Sequence, residues 1–261
     1  MNPSLQNTET ERPGSEHWLS PIRWPFRMER DGRGQVGISG EARRRSSPSS
    51  AAIRTLNVLV ATVGLILASP LFLAIALLVK LSSPGPVFYV QERVGLDRRR
   101  PGDAGEDSLS RRKDDKGGRI FRIYKFRTMV ADSDRAGQVW ASRTDPRITA
   151  VGHVLRKYRL DELPQLFNVL KGDMNIVGPR PEQPKIFQEL REKVTGYQER
   201  QRVLPGITGW AQVNHAYDQC IDDVKKKVEY DLEYIEQRSF LKDLRIMART
   251  VPVMIGKKGS I

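Results

Sequence analysis

The chain is poor in the residues from which covalent and metal-bound frameworks are built. It has one cysteine, Cys220, and three histidines, His17, His153 and His215, among 261 residues. A single cysteine excludes an internal disulfide framework and a cysteine-rich zinc site, and it suits a reducing, cytoplasmic setting. The histidines stand far apart, without metal-ligand spacing. Negative charge is also short: 31 Asp and Glu against 44 Lys and Arg leave a formal charge of +13. Such an excess favours an anionic partner, whether nucleic acid, an acidic membrane surface or a phosphorylated substrate. No nucleic-acid-binding motif is present, so nucleic acid is not among the expected partners.

Apolar periodicity is missing from residues 1–50, which are rich in Ser, Pro, Gly, Arg and Glu. Such a segment buries too little surface to offset its ordering entropy, and it reads as a disordered basic and polar tail. It does not read as a secretory signal, because the apolar run begins too late and no small-residue cleavage site follows.

Charge is absent altogether from Thr55 to Val79, where Leu, Ile, Val and Ala dominate. That length suffices to cross a hydrocarbon core as a helix. Pro70 removes a backbone donor near the middle, so a bend is expected at Ser69-Pro70. Basic residues flank both ends: Arg43 to Arg45 and Arg54 before, Lys80, Arg93 and Arg98 to Arg100 after. Positive charge prefers the cytoplasmic face. Two positive flanks therefore predict a re-entrant helix over 51–82, broken at Ser69 and Pro70, that enters and leaves on one side.

Beyond it, Val87 to Val90 and IFRIYKFRTMV read as strands. Residues 97–119 are almost wholly polar or charged and read as a surface insertion. The last segment is helical from about Asp222. One apolar stripe comprises Val224, Val228, Leu232 and Ile235, and a second comprises Leu241, Leu244, Ala248 and Val251. The second stripe lies beside Lys242, Arg245 and Arg249; membrane and domain are equally good partners for it.

Leu160 to Gly172 reads as one short helix, with Leu163, Leu166, Phe167 and Leu170 as a buried face. Pro164 fits its first turn and Gly172 its end. Asp161 and Glu162 then sit at the helix N-terminus, where ordinary capping explains them as well. The surrounding cations add a second meaning: Arg156, Lys157 and Arg159 precede the pair, Arg180 follows in Gly178-Pro179-Arg180-Pro181, and Lys125 and Arg127 lie in YKFRTM. Two carboxylates amid fixed cations suit a phosphate and a divalent metal. Leu204-Pro205-Gly206-Ile207-Thr208-Gly209-Trp210 marks a tight turn, either a phosphate-binding nest or a connector.

These segments, in this order, resemble the bacterial sugar transferases, the monotopic polyprenyl-phosphate phosphoglycosyl transferases. The resemblance covers about residues 51–256. It rests on the Ser-Pro-broken apolar segment, QERVG (91–95), YKFRTM (124–129), DPRIT (145–149), LDELPQ (160–165), GPRP (178–181), LPGITGW (204–210) and EYD (229–231). It implies an α+β, mainly helical monotopic membrane protein: a tail over 1–50, the re-entrant helix over 51–82, and a small cytoplasmic catalytic domain over 83–261 with interfacial amphipathic helices. The bacterial inner membrane, at its cytoplasmic face, is the implied location. The implied reaction is ping-pong. Asp161 attacks the sugar-bearing phosphorus of a UDP-sugar, UMP leaves, and polyprenyl phosphate takes the sugar phosphate. Glu162 is the implied Mg²⁺ ligand. Arg127, Arg147, Arg180 and Lys125 are candidate substrate contacts, and Asp231 is a further candidate. Membrane lipids and a second copy of the chain, as a homodimer, complete the candidate partners. The chain departs from the family in its longer 97–119 loop and in lacking a multi-span N-terminal region, which suggests a minimal form.

Overall fold

The apolar stretch that dominates the sequence also sets the frame of the fold. In a computed structural model, which describes residues 28–30, 36–38, 50–98, 115–130, 145–215 and 220–255, it forms one helix, α1 (Ser50–Ser82). At 1.5 Å per residue its length is about 50 Å. The backbone stays helical through Pro70, with no non-helical residue between the two halves. Proline at position 70 strips the Ile66 carbonyl of its usual donor, and the Ser69 hydroxyl donates to that same carbonyl at 2.8 Å. Ser69 thus repairs locally what Pro70 removes.

The first compact unit covers residues 1–41 and the second residues 42–261. In the first, β1 (Met28–Arg30) and β2 (Val36–Ile38) pair antiparallel; the rest of the tail expected to be disordered lies outside the described residues. Most of the polar insertion, 99–114, also lies outside them. Its described end is pinned down: Arg191 meets Asp115 at 3.0 Å, and Gln198 donates to the Gly117 carbonyl at 2.6 Å.

In the second unit α1 is followed by β3 (Phe88–Val94) and β4 (Ile120–Phe126), which pair antiparallel from Phe88 with Phe126 to Val94 with Ile120. The strand extends beyond the expected Val87–Val90 because this pairing carries Gln91, Glu92 and Arg93 into it. Next come α2 (Ala150–Lys157), a 3₁₀ turn at Leu160–Glu162, α3 (Gln165–Lys171), β5 (Asn175–Val177), α4 (Pro184–Lys193) and a 3₁₀ helix at Tyr197–Arg202. The chain continues with β6 (Gly206–Thr208), α5 (Trp210–Asn214), α6 (Ile221–Glu236) and α7 (Phe240–Ile255). The mainly helical α+β expectation agrees with this order.

The core is shared among elements far apart in sequence. Ala61 of α1, Ile123 of β4, Val169 of α3, Ile176 of β5, Tyr234 of α6 and Ile246 of α7 meet in one cluster. Phe187, Tyr197, Val224 and Val228 belong to a second. Ile75 and Val79 join Phe126 and Leu155 in a third. Both ends of α1 are thereby held by one body. Its middle is bare: Leu67 is 75% exposed and Leu73 76%.

One apolar stripe faces differently from the reading of sequence alone, and a second takes one of the two faces that reading left open. In α3 the buried positions are Gln165, Asn168 and Val169, while Leu166 touches Gly64 and Phe167 meets Phe72 edge-on at 6.0 Å. The Leu/Phe stripe therefore turns toward α1. In α7 the buried positions are Asp243 and Ile246. Leu241, Leu244, Ala248 and Val251 are all exposed, so that stripe does not pack on the domain.

Candidate functional site

The site begins with a backbone turn. The expected single helix over Leu160–Gly172 is divided: Leu160–Glu162 is a 3₁₀ turn, and α3 starts only after Pro164. Arg159, just before the acidic pair, has φ 54° and is the only non-glycine residue with positive φ among the described residues. Such a conformation is costly for a side chain with a Cβ, and it is a recurrent feature of functional turns. The turn aims both carboxylates inward: Asp161 is 8% exposed and Glu162 7%.

Two elements bring cations to Glu162. Asn168 of α3 accepts from the Tyr124 amide at 3.1 Å and donates to the Arg122 carbonyl at 2.6 Å, which ties β4 to α3. The neighbouring Lys125 then reaches Glu162 Oε1 with its Nζ at 3.0 Å. From the Gly178–Pro181 loop, Arg180 donates Nη2 to Oε1 at 2.5 Å and Nη1 to Oε2 at 3.3 Å. Burial pushes the Glu162 carboxyl upward, but Arg180 and Lys125 outweigh it and hold the group well below the usual carboxylate range. Asp161 shifts the opposite way: burial pushes it upward, only partly opposed by Lys125. Burial also lowers Lys125, against the pull of Glu162. Among the described residues no hydrogen bond ends on the Asp161 carboxylate. Adjacent acids are thus differentiated, one clamped and ionised, the other unclamped and more basic.

The remaining candidates take structural positions. Arg127 donates to the carbonyls of Pro84 at 2.5 Å, Ser83 at 2.7 Å and Val79 at 3.4 Å. Both of its terminal nitrogens are engaged in capping the end of α1. Arg147 grips Asp145, with Nη2 to Oδ2 at 2.7 Å, and Arg147 and Asp145 hold the Asp145–Arg147 turn before α2. Asp231 accepts from Arg200 at 2.7 Å, and both are buried. The LPGITGW segment is a connector: β6 pairs parallel with β5, and a Cβ on Gly206 would lie 2.1 Å from the Gly178 nitrogen. Gly206 is thus packed directly against the main chain of Gly178. Sequence reasoning missed Arg93, Glu182, Arg200 and Lys227 as supports of the site. Only QERVG, already singled out, contained a signal for one of them.

Among the described residues, no group of three or more acidic, His or Cys side chains is arranged to hold a metal alone. A magnesium ion does not need one, since it keeps water and shares substrate phosphate oxygens with one or two carboxylates. Among the described residues, Glu162 Oε1 is taken by two cations, whereas Oε2 carries the longer Arg180 contact. Glu162 is the residue that could hold such an ion, shared with the phosphates of a ligand.

Paired carboxylates and forked cations share one unit with a long, bare apolar helix, an arrangement that suits a membrane-associated protein. A family model described as bacterial sugar transferase matches residues 48–102 and 103–257, and the chain belongs to that family. It is 44% identical over 202 residues to the UDP-N-acetylgalactosamine-undecaprenyl-phosphate N-acetylgalactosaminephosphotransferase of Aeromonas hydrophila, covering 77% of this chain and 43% of that protein. It is 37% identical over 204 residues to the UDP-glucose:undecaprenyl-phosphate glucose-1-phosphate transferase of Caulobacter vibrioides, covering 77% of this chain and 69% of the relative. With the exopolysaccharide production protein ExoY of Sinorhizobium fredii it shares 36% identity over 222 residues, 79% of this chain and 87% of the relative. The chain spans less than half the length of several relatives, including the Aeromonas protein.

Proposed function

We propose that this protein transfers a sugar 1-phosphate from a UDP-sugar to polyprenyl phosphate at the cytoplasmic face of the bacterial inner membrane. It would act in the first membrane step of building an exopolysaccharide, capsule, O-antigen or glycoprotein glycan. The observation that carries the reading is the contrast within the acidic pair: a buried Asp161 carboxylate without a hydrogen-bond partner among the described residues, beside a Glu162 held by Lys125 and Arg180. An Asp161 oxygen attacks the sugar-bearing phosphorus, and the bond from that phosphorus to the bridging oxygen breaks. UMP leaves with the electron pair, and an acyl phosphate holds the sugar phosphate. A phosphate oxygen of the polyprenyl acceptor then attacks the same phosphorus, and the Asp161 carboxylate departs restored. Arg180 and Lys125 bind and orient the diphosphate through charge-assisted bonds. Magnesium, when bound at Glu162, would offset the negative charge on the phosphates.

The same reading assigns α1 a monotopic course. Ile53 and Ala61 near one end, and Ile75 and Val79 near the other, are buried. A straight span would deliver its two ends to opposite faces of the bilayer. Attachment of both ends to one domain fits entry and return on one side. The exposed α7 stripe, beside basic residues, fits a helix lying in the headgroup region.

The test combines two measurements. Without acceptor, a UDP-sugar should yield at most one UMP per protein, and adding polyprenyl phosphate should start turnover. Asp161→Asn should remove both the burst and radiolabelled lipid product, by about a thousandfold or more, while the protein still fractionates with membranes. Continuous UMP release without acceptor would point to a hydrolase instead. Near-normal transfer by Asp161→Asn would sink the nucleophile assignment. For topology, Arg45→Cys and Val90→Cys in a Cys220→Ser background should both label from the cytoplasmic side.

A further inference from the structure

The loop carrying Arg180 is fastened carbonyl by carbonyl. Pro179 O accepts from the Gly206 amide and Glu182 O from the Val94 amide, each at 2.9 Å. Between them, Arg180 O accepts from Arg200 Nη2 and Pro181 O from Arg93 Nη1, each at 3.0 Å. Prolines on both sides of Arg180 have fixed φ and no N–H, so the carbonyls are the points by which this loop can be held. Arg200 is 1% exposed. Its Nε donates to Asp231 Oδ2 at 2.7 Å, and its guanidinium lies 4.8 Å from the centre of the Tyr197 ring.

Burying an arginine and an aspartate takes two ions out of water, which costs several kcal/mol per ion, and a well-packed apolar pair is often as stable. Stability is therefore a weak reason for the Arg200–Asp231 pair. The second bond of the same guanidinium, to the main chain of the residue that grips Glu162, supplies a stronger one.

We propose that Arg200, oriented by Asp231, is a positioning residue for Arg180: it fixes where the Arg180 guanidinium meets Glu162 and the donor's diphosphate. The inference rests on the proposed function in taking that diphosphate as the ligand of Arg180. It gives α6 a part in the site through Asp231, although neither Arg200 nor Asp231 needs to touch substrate.

A double-mutant cycle tests this in the full-length protein in detergent. Steady-state UMP release is measured with polyprenyl phosphate and UDP-glucose or UDP-N-acetylgalactosamine, whichever is turned over. Protein is counted by the amplitude of its thermal unfolding transition, so misfolded chains do not enter. Arg200→Lys keeps a cation for Asp231 but loses the fork that also reaches the Arg180 carbonyl. It should raise KM for the donor about tenfold per folded molecule, the size of one lost charge-assisted bond. Added to Arg180→Gln, it should change kcat/KM by no more than about twofold, because its effect passes through a side chain already removed. Multiplicative losses, or an unchanged KM in Arg200→Lys, would overturn the proposal. Asp231→Asn, of similar volume, runs the same cycle if the lysine variant folds poorly. An Asp161→Asn chain that still released UMP would count against the covalent reading but leave the Arg200–Arg180 coupling standing, so the two failures are distinct.

Discussion

The middle of α1 and the surroundings of Asp161 are inverted with respect to each other. Along α1 large apolar side chains lie outside, Leu67 and Leu73 among them, while the polar Asn57 is 1% exposed. Around Asp161 the charges lie inside, with Glu162, Arg200, Asp231 and Lys125 wholly or largely enclosed. A chain in water alone would be penalised for both arrangements. Together they make sense for a protein with two solvents. Under the proposed function lipid would cover the bare leucines, and exclusion of water would strengthen the charges that bind phosphate.

The comparison breaks most severely if α1 is made polar where it is bare. Leu67→Asp with Leu73→Asp adds about 2.5–3.5 kcal/mol per residue to membrane insertion at the helix centre. Flotation assays should show the chain leaving the vesicles. The single stoichiometric release of UMP from UDP-sugar should persist, while transfer to the lipid acceptor falls at least about tenfold.

Inside the domain, Glu182 lies between Lys227 at 2.8 Å and Arg93 at 3.9 Å. Burial works against its ionisation, but Lys227 and Arg200 lead the attraction that holds its carboxyl down to about 2. The folded state therefore binds that proton less readily than the unfolded state does. The resulting stability, on the order of 3 kcal/mol, is fully present above about pH 4.5 and is lost as pH falls toward 2. Denaturant titrations of Glu182→Gln should show a flatter loss of stability over that acid range than the parent protein.

Asn57 sharpens the contrast at smaller scale. Its side chain accepts from the Ile176 amide at 2.5 Å and donates to the Ile53 carbonyl at 2.7 Å. Asn57→Leu suits the apolar character of α1 but leaves a buried amide without a partner, at a cost of about 1–3 kcal/mol. A lowered denaturation midpoint with unchanged membrane partitioning is the expected result. The smallest effect on folding belongs to Leu241→Ser in α7, within about 0.5 kcal/mol because the residue is exposed. The same change should measurably weaken binding to anionic vesicles, and undiminished binding would remove α7 from the membrane surface.

Much of this was legible without coordinates where the signal is local. The uncharged run at 55–79 announced α1, because a continuous apolar stretch has one economical conformation in lipid. LDELPQ, YKFRTM and GPRP announced the site, and the structure brings Glu162, Lys125 and Arg180 within bonding distance. Reading failed where polarity and facing part company. Leu166 and Phe167 have the spacing of a core face, yet they turn toward α1, because Asn168 takes the interior and ties β4 in place. Arg127 and Arg180 look alike in sequence. One caps a helix and the other holds a carboxylate, a difference set by which carbonyls and which acids stand nearby.

The sequence by itself determined the membrane helix, the mainly helical α+β composition and the acidic pair amid cations. Each of these is written in contiguous residues whose chemistry does not depend on distant partners. Tertiary structure alone decided how Asp161 and Glu162 part company. Their separation depends on Lys125 arriving from β4 and on Arg180 arriving on a loop whose main chain Arg200 and Arg93 hold. Electrostatic shifts in a buried site depend on distances of a few ångströms between elements far apart in the chain, and no local pattern encodes them.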